Sequence, residues 1–187
     1  MKAQEALKLL DRLSHLHQAY LREFSYRVGL NLRQLECLLY FNSCNRYSDT
    51  PLALTEYLGL TKGTVSQTIL SLEDKGLLKK YSDTNDGRIV HLKLTRRAEK
   101  LLEQCAEDSP LEKAFSRDTD ISPTLGKMLS SVLIEVQRTN DSKTFGACYS
   151  CSHFRRNGLG ATHQCGLTKE PLSEYESLKI CREHTPK

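Results

Sequence analysis

The chain has no long apolar run and no apolar leader. No stretch of its 187 residues approaches the roughly 18 apolar residues that a membrane-spanning helix needs. The first twenty residues carry charges and histidine throughout, unlike the apolar core of a secretory signal peptide. With 39% hydrophobic and 27% charged residues, the composition is that of a folded soluble protein. We therefore expect a cytoplasmic protein without a membrane partner.

The chain also lacks a strong net charge. Its formal charge of +4 is mild and, taken alone, only permits nucleic acid as a partner. The distribution of charge is more informative, because residues 61–100 contain nine lysines and arginines against five acids. The middle of the chain is thus its basic part.

A catalytic constellation is missing as well. No general base, nucleophile or glycine-rich phosphate loop is arranged around the cysteines in a way that could use a bound metal. We therefore do not expect an enzyme.

Most of the chain shows the apolar spacing of helices. Helices are predicted over 3–28, from the N-cap Asn31 to about residue 44, and over 52–60, 64–75, 95–105 and 124–138. Serine- and proline-containing segments at 109–110 and 116–123 are predicted weak points between the last helices.

A short strand pair interrupts this helical pattern. Residues 77–81 and 89–94 have strand character, and the segment 83–87 between them contains Asp86-Gly87, which favours a hairpin tip. The order helix, turn, helix, two-stranded ribbon, helix is that of a winged helix-turn-helix, here at about residues 31–95.

Four short motifs lie in order between Leu52 and Thr95. They are Leu54-Thr55-Glu56-Tyr57-Leu58-Gly59-Leu60 followed by Thr61-Lys62-Gly63-Thr64-Val65-Ser66-Gln67, then Leu70-Ser71-Leu72-Glu73-Asp74-Lys75-Gly76-Leu77, the wing Asp83-x-x-Asp86-Gly87-Arg88, and Leu94-Thr95. Together they resemble the MarR family of transcription regulators. The resemblance implies a mainly α fold with a small β-ribbon, in which dimerisation helices flank the winged helix.

Two positions depart from the family's pattern. Gln67 stands where the family often has a basic residue, so a base preference is not carried over. Ala98 stands where the family often has glycine, which should only stiffen the helix.

The second helix of such a unit enters the major groove of duplex DNA, with its N-terminal residues facing the base edges. In this chain those residues are all polar: Thr61, Lys62, Thr64, Ser66, Gln67 and Thr68. Glutamine can pair with adenine, and serine or threonine with several bases. The leading base-reading candidates are therefore Thr64, Ser66 and Gln67.

Other basic residues are expected to meet the DNA backbone. Lys62, Lys79 and Lys80 are predicted at phosphates, which position a protein without specifying sequence. Arg88 resembles the family's wing arginine, and an arginine there can enter the minor groove. The competing interpretation of each group is a solvated surface side chain.

The resemblance also implies a homodimer built from the first helix and the two C-terminal helices. We expect the apolar residues of the last helix to face inward: Leu125, Met128, Leu129, Val132, Leu133 and Val136. The alternative is that these stripes pack only within one chain. In the family, a groove beside the DNA-binding region often takes a small effector, and nothing in this sequence names one.

Four of the seven cysteines crowd into the C-terminal segment, residues 141–187. Cys148-x-x-Cys151 is followed by the isolated Cys165 and Cys181. In a chain without an export signal, metal binding is favoured over disulfides. A tail of about forty residues with few aliphatic side chains needs a cross-link, such as a bound metal, to fold. We predict a small metal-stapled tail after a helical domain of residues 1–140.

Zinc and an iron–sulfur cluster both fit four thiolates. Cys165 and Cys181 are isolated rather than paired in a second Cys-x-x-Cys motif, which favours a [4Fe–4S] cluster over zinc. Over a short stretch, the pattern also resembles the small cluster-binding subunits of some glycyl-radical enzymes. The nearby His153, His163 and His184 are reserve ligands.

These features predict a sequence-specific DNA-binding regulator, by the family's habit a repressor. Its tail would couple redox or metal state to DNA binding, with cluster loss unfolding the tail and shifting the DNA-binding heads through the linker at 140–146. The alternative is a metalloprotein whose winged helix makes protein contacts and whose tail is a structural zinc clip. Cys37, Cys44 and Cys105 are candidates for oxidant sensing, with burial as small hydrophobes the competing interpretation.

Overall fold

The computed structural model describes residues 3–83, 86–117, 121–140, 143–157 and 162–187. Thr84 and Asn85 of the predicted hairpin tip lie outside these ranges. Parts of the predicted weak point at 116–123 and of the predicted linker at 140–146 also lie outside them.

Seven helices and one hairpin make up the larger part of the fold. The helices are α1 (Ala3–Arg27), α2 (Leu32–Ser43), α3 (Pro51–Leu58), α4 (Lys62–Asp74), α5 (Arg96–Asp108), α6 (Pro110–Arg117) and α7 (Ile121–Thr139). The hairpin pairs β1 (Leu78–Ser82) with β2 (Val90–Leu94) in antiparallel register. The predicted winged helix-turn-helix and its flanking helices are confirmed.

Side-chain caps determine where these helices begin. Asn31 forms a reciprocal capping box with Gln34 at the start of α2. Thr50, Thr61 and Thr95 each accept a hydrogen bond from a first-turn amide of α3, α4 and α5. Each cap satisfies an amide that the helix itself leaves unpaired, so the sequence specifies these starts locally.

One apolar core joins helices α1 to α5 and strands β1 and β2. Leu35, Leu38, Leu54 and Leu72 are at most 1% exposed within it. The core also takes in Phe145, from beyond α7, whose ring meets Tyr57 of α3 edge-on at a centroid distance of 5.3 Å. The start of the cysteine-rich segment is therefore packed against the winged helix.

The inward orientation predicted for the last helix is wrong within a single chain. Met128, Leu129, Val132, Leu133 and Val136 are all more than two-fifths exposed. On α1, the apolar residues Leu7, Leu10, Leu13 and Leu16 are exposed too. Both helices extend beyond the core, so no other part of the described chain covers these faces.

The cysteine-rich segment forms short strands around turns. β3 (Gly146–Ala147) pairs with β7 (Ile180–Cys181), and β4 (Phe154–Arg156), β5 (His163–Cys165) and β6 (Pro171–Leu172) form a three-stranded sheet. A single helical turn, α8 (Glu174–Ser177), lies between β6 and β7. Among the residues described here, no helix is long and apolar enough to cross a membrane.

Leu72 offers a direct test of the core. The Leu72→Ala substitution should lower the free energy of unfolding by about 2–5 kcal/mol, because it removes a fully buried side chain and leaves a cavity. Leu70→Ala, on the same helix but 46% exposed, should change it by less than about 0.5 kcal/mol. Chemical denaturation of both variants measures the difference, and equal losses would contradict this core assignment.

Candidate nucleic-acid interface and cysteine site

The turn between α3 and α4 positions the recognition helix. Gly59 ends α3 with a φ of +63°, a left-handed conformation that favours glycine. Two residues later, Thr61 caps α4: its Oγ1 accepts from the Thr64 amide at 3.2 Å and lies 2.9 Å from the Thr64 hydroxyl. Val65, Ile69 and Leu72 then anchor the helix in the core.

The opposite face of α4 carries the predicted base-reading residues. Five of the six predicted residues are exposed there, and Thr68 is half-buried: Thr61, Lys62, Thr64, Ser66, Gln67 and Thr68. The Thr68 hydroxyl donates to the Thr64 carbonyl at 2.8 Å, so it is already engaged within the helix. Ser66 and Gln67 thus offer the most available hydrogen-bonding groups on this face.

The hairpin forms a basic wing beside this helix. Lys79 lies opposite Lys93 in the register of β1 and β2, and both side chains are exposed. Lys80 forms an ion pair with Glu73 of α4, which ties the wing to the end of the recognition helix. A phosphate contact by Lys80 therefore competes with Glu73, whereas Lys79 and Lys93 form no ion pair within the described part of the chain.

Asp86 holds Arg88 at the edge of the wing. Its carboxylate accepts from the Arg88 backbone amide, Nε and Nη2, each at 3.0 Å, while the arginine side chain stays 90% exposed. These bonds lower the pKa of Asp86, with the Arg88 side chain as the main cause. Arg88 is thus oriented outward before any partner binds.

The base of the wing is clasped by a charged cluster that the sequence did not predict. His91 of β2 contacts Asp49 through Nδ1 and Asp83 through Nε2, the latter at 3.2 Å. The Asp49 carboxylate also accepts from the Tyr81 hydroxyl at 2.6 Å. Burial lowers the pKa of His91, but the hydrogen bonds and charges of Asp49 and Asp83 outweigh it and raise the pKa overall.

This clasp makes part of the stability depend on pH. The pKa of His91 is raised on folding, so the protonated ring stabilises the folded state. This stabilisation is fully present below the pKa of the unfolded chain, about 6.5, and is lost as pH rises through the pKa of the folded protein. His91→Gln should therefore destabilise the protein most near about pH 6, by roughly 1–2 kcal/mol, and least near about pH 9. Denaturation across pH measures this; His15→Gln, exposed on α1, is the control. A pH-independent loss would contradict it.

The four C-terminal cysteines line one cavity of about 150 Å³. Cys148 and Cys151 are buried, and Cys165 and Cys181 are half-buried. Apolar and aromatic side chains complete the wall, among them Phe154 and Leu172. Of the three histidines considered as reserve ligands, only His153 lines this cavity.

The other two histidines have partners elsewhere. His163 pairs with Glu174 at 2.6 Å, and His184 lies 2.9 Å from the Ser150 hydroxyl. The ring of His184 also lies against Gly146, where a Cβ would come within 2.6 Å of it. Both rings therefore brace the fold around the cysteines.

Hydrogen-bond donors point at the cysteine sulfurs. The Asn45 side-chain amide donates to Cys148 Sγ at 3.3 Å, and the Thr185 backbone amide donates to Cys151 Sγ at 3.4 Å. A hydrogen bond from the Cys148 thiol lowers the pKa of Cys181 and raises the pKa of Cys148, so the pair favours a thiolate at Cys181 and a protonated thiol at Cys148. Thiolates that accept N–H bonds are typical ligands of iron–sulfur clusters.

The arrangement of the metal-ligating side chains bears on which metal group the cavity can hold. Among the described residues, no three cysteine, histidine or carboxylate side chains converge closely enough to hold one metal ion. The four cysteines line a space at least ten times larger than the roughly 10–15 Å³ that one water molecule needs. Four thiolates can bind either an iron–sulfur cluster or one zinc ion, and the cavity has room for either group.

The remaining three cysteines lie in the buried core and not at the cavity. Cys37, Cys44 and Cys105 are buried, and burial raises the pKa of Cys37 and Cys44 to about 12. Burial also raises the pKa of Cys105. Because the thiolate is the reactive form, these thiols are held in their unreactive state.

A polar docking interface holds the cysteine segment against the winged helix. Arg182, next to Cys181, makes two bonds to the Glu56 carboxylate of α3, at 2.5 and 2.8 Å. Arg46, after α2, pairs with Glu170 and Glu176 of the cysteine segment. Sequence reasoning missed this interface because each pair joins residues more than a hundred positions apart.

Comparisons with known proteins agree with this geometry. Residues 28–89 match the model of the MarR family. No curated protein matches the chain significantly. Among solved structures, the fold is similar to a MepR mutant from a multidrug-resistant S. aureus clinical isolate, with 25% identity and a TM-score of 0.58 over 68% of this chain and 96% of that one.

Two further structures share the fold at lower identity. Apo MarR from E. coli is 20% identical, with a TM-score of 0.50 over 71% of this chain and 96% of that one. CouR from Rhodococcus jostii RHA1, bound to p-coumaroyl-CoA, is 17% identical, with a TM-score of 0.51 over 66% and 88%. The chain thus has a MarR-type winged-helix fold.

Proposed function

We propose that this chain is a transcription regulator that binds a duplex DNA operator through its winged helix. The observation that carries the proposal is the two-faced recognition helix: Val65, Ile69 and Leu72 are buried, while Ser66 and Gln67 project from the opposite face. The MarR family match over residues 28–89 covers this helix. An adjoining basic wing with an outward Arg88 suits a minor groove.

We also propose that it acts as a homodimer and a repressor. The exposed apolar faces of α1 and α7 support a second copy of the chain as the partner that covers them. An operator that matches such a dimer has two inverted half-sites. Repression is the family's common habit and rests on the family resemblance alone.

Salt dependence distinguishes DNA recognition from protein recognition. The logarithm of DNA affinity should fall linearly with the logarithm of salt concentration, by about 0.9 for each phosphate neutralised. Lys79→Ala, at a predicted phosphate contact, should reduce that slope by about 1 for each copy of the chain. Arg117→Ala, exposed at the end of α6, should leave it unchanged. Affinity that does not respond to salt would favour the alternative, a winged helix used only for protein contacts.

For the cysteine site we propose a [4Fe–4S] cluster, with zinc as the alternative. Cys148, Cys151, Cys165 and Cys181 would hold it through their thiolates. A bound cluster would supply one-electron redox chemistry. The apolar cavity wall excludes water from the sulfurs, and Asn45 and the Thr185 amide stabilise their negative charge.

Protein purified without oxygen tests this assignment. A brown protein with a broad band near roughly 400 nm and about four irons per chain is the expected result. A colourless protein with about one zinc per chain would overturn it and make the segment a structural clip.

A small-molecule effector has a place to bind as well. A groove of about 720 Å³ lies between α3, α7 and the start of the cysteine segment, and Tyr57, Leu133 and Phe145 are among its lining residues. We propose it as the effector groove, with the chemical identity of the effector open to ligand screening.

A further inference from the structure

A single loop touches both the cysteine cavity and the wing. This α2–α3 loop comprises residues 44–50, between the end of α2 and the start of α3. We propose that it transmits the state of the cysteine site to the DNA-binding surface, with Asn45 as the positioning residue at the cysteine end and Asp49 at the wing end. The inference rests on the proposed function and deepens it, because it names the route of regulation.

At the cysteine end, Asn45 is inserted beside the ligands. It is 3% exposed, and its Nδ2 donates to Cys148 Sγ at 3.3 Å. Its backbone amide donates at 2.8 Å to the carbonyl of Ile180, which precedes Cys181. Asn45 therefore contacts Cys148, which directly follows β3, and β7, which carries Cys181, although it belongs to the winged-helix part of the chain.

Inside the loop, hydrogen bonds join the two ends. Asn45 Oδ1 accepts from the Ser48 hydroxyl at 2.8 Å and from the Tyr47 amide at 3.1 Å. The same Ser48 oxygen accepts from the Arg182 amide at 2.8 Å. Asn45 and Ser48 are both buried, so displacing either side chain would leave buried polar atoms without a hydrogen-bond partner. A displacement at one end of the loop should therefore shift the other end as well.

At the wing end, Asp49 follows Ser48 directly. Its carboxylate holds the Tyr81 hydroxyl at 2.6 Å and the His91 ring, and its carbonyl accepts from the Leu92 amide at 2.8 Å. These contacts reach both strands of the wing. The next residue, Thr50, caps α3, so a shift of the loop reaches the helix-turn-helix as well.

The loop is a shorter route than the one predicted through the linker at 140–146. Four positions separate Asn45 from Asp49, whereas a signal through the linker would pass along α7. The surface pairs Arg182–Glu56 and Arg46–Glu176 hold the cysteine segment in place independently of the Asn45 side chain. Substituting Asn45 should therefore weaken the coupling without undocking the segment.

The test compares operator affinity of the full-length protein before and after removal of the cluster with an iron chelator. The probe is a labelled duplex that the protein itself selects from random sequence. Wild type should show a loaded-to-stripped affinity ratio that differs from 1 by about 5-fold or more. In Asn45→Ala and in Asp49→Asn the ratio should fall to within about twofold of 1, with iron content and DNA binding retained.

A second readout separates positioning from general structure. Asn45→Ala removes an N–H donor from a ligand sulfur, so the midpoint potential of the bound cluster should become more negative. Asp49→Asn should leave the potential unchanged. Asn42→Ala, exposed at the end of α2, is the matched control and should change neither potential nor ratio.

The outcomes distinguish the inference from its premise. Wild-type protein that lacks iron would refute the proposed cluster, and wild-type protein that does not bind DNA would refute the proposed regulator. Either result removes the premise of the inference before any variant is compared. Wild-type protein that contains iron and binds DNA, but whose loaded and stripped forms have equal operator affinity, would overturn the inference alone. The inference would also be overturned if Asp49→Asn kept the wild-type loaded-to-stripped affinity ratio. This second variant tests the inference even if Asn45→Ala fails to fold.

Discussion

Replacing Gln67 with alanine is expected to abolish most of the chain's sequence discrimination. Gln67 is exposed on the outer face of α4, where its amide can pair with a base edge in the major groove. Loss of a good base contact costs about 1–3 kcal/mol, and a homodimer loses it twice, so operator affinity should fall by roughly 2–6 kcal/mol. Titration of the selected operator against a scrambled duplex measures the change.

The scrambled duplex should be bound almost as tightly by the variant as by wild type. Its binding depends on phosphate contacts, which Gln67 does not supply. Gln104→Ala, an exposed glutamine on α5, is the matched control and should change neither affinity. Equal losses on both duplexes would show that Gln67 does not read bases.

Replacing two of the four proposed ligands should prevent cluster binding at the cysteine site. Cys148→Ser with Cys151→Ser deletes the pair that lies on the buried side of the cavity. Iron content should fall from about four per chain to near zero, and the visible absorption should disappear. Since a segment of about forty residues depends on its staple to stay folded, proteolysis within residues 143–187 should accelerate.

The matched control for that experiment is Cys37→Ala with Cys105→Ala. Both cysteines are buried in the helical core and neither lines the cavity. This variant should keep its iron and its absorption spectrum, with a modest loss of stability. If it loses iron as fully as the first variant, the assignment of the four C-terminal cysteines is wrong.

The winged helix was predictable because its signals are local. Asn31, Thr61 and Thr95 cap the helices that follow them, and Asp86-Gly87 marks the hairpin tip within a few residues of both strands. Predicted helix ends agree with the structure to within about three residues for α1 to α5. Pro110 was interpreted as a weak point, although it begins α6, where a proline at the first helical position is well tolerated.

What could not be predicted depends on contacts between distant residues. The apolar stripe of α7 indicates burial but not the partner, and the partner proposed here is a second chain. Asn45 looks like an ordinary loop residue, because its partner Cys148 lies 103 positions away. The same holds for Asp49 and His91, whose pairing depends on how the wing folds back over the loop.

Sequence-specific DNA binding by the winged helix can be measured by selecting duplex DNA from a random-sequence pool. The full-length, iron-loaded protein should recover a pseudo-palindromic sequence with two inverted half-sites, their centres about 10–10.5 base pairs apart or a multiple of that. That result is expected from a homodimeric winged helix whose recognition face carries Ser66 and Gln67. A pool that remains unenriched after repeated rounds, at low salt and with the cysteine site loaded, would contradict the account.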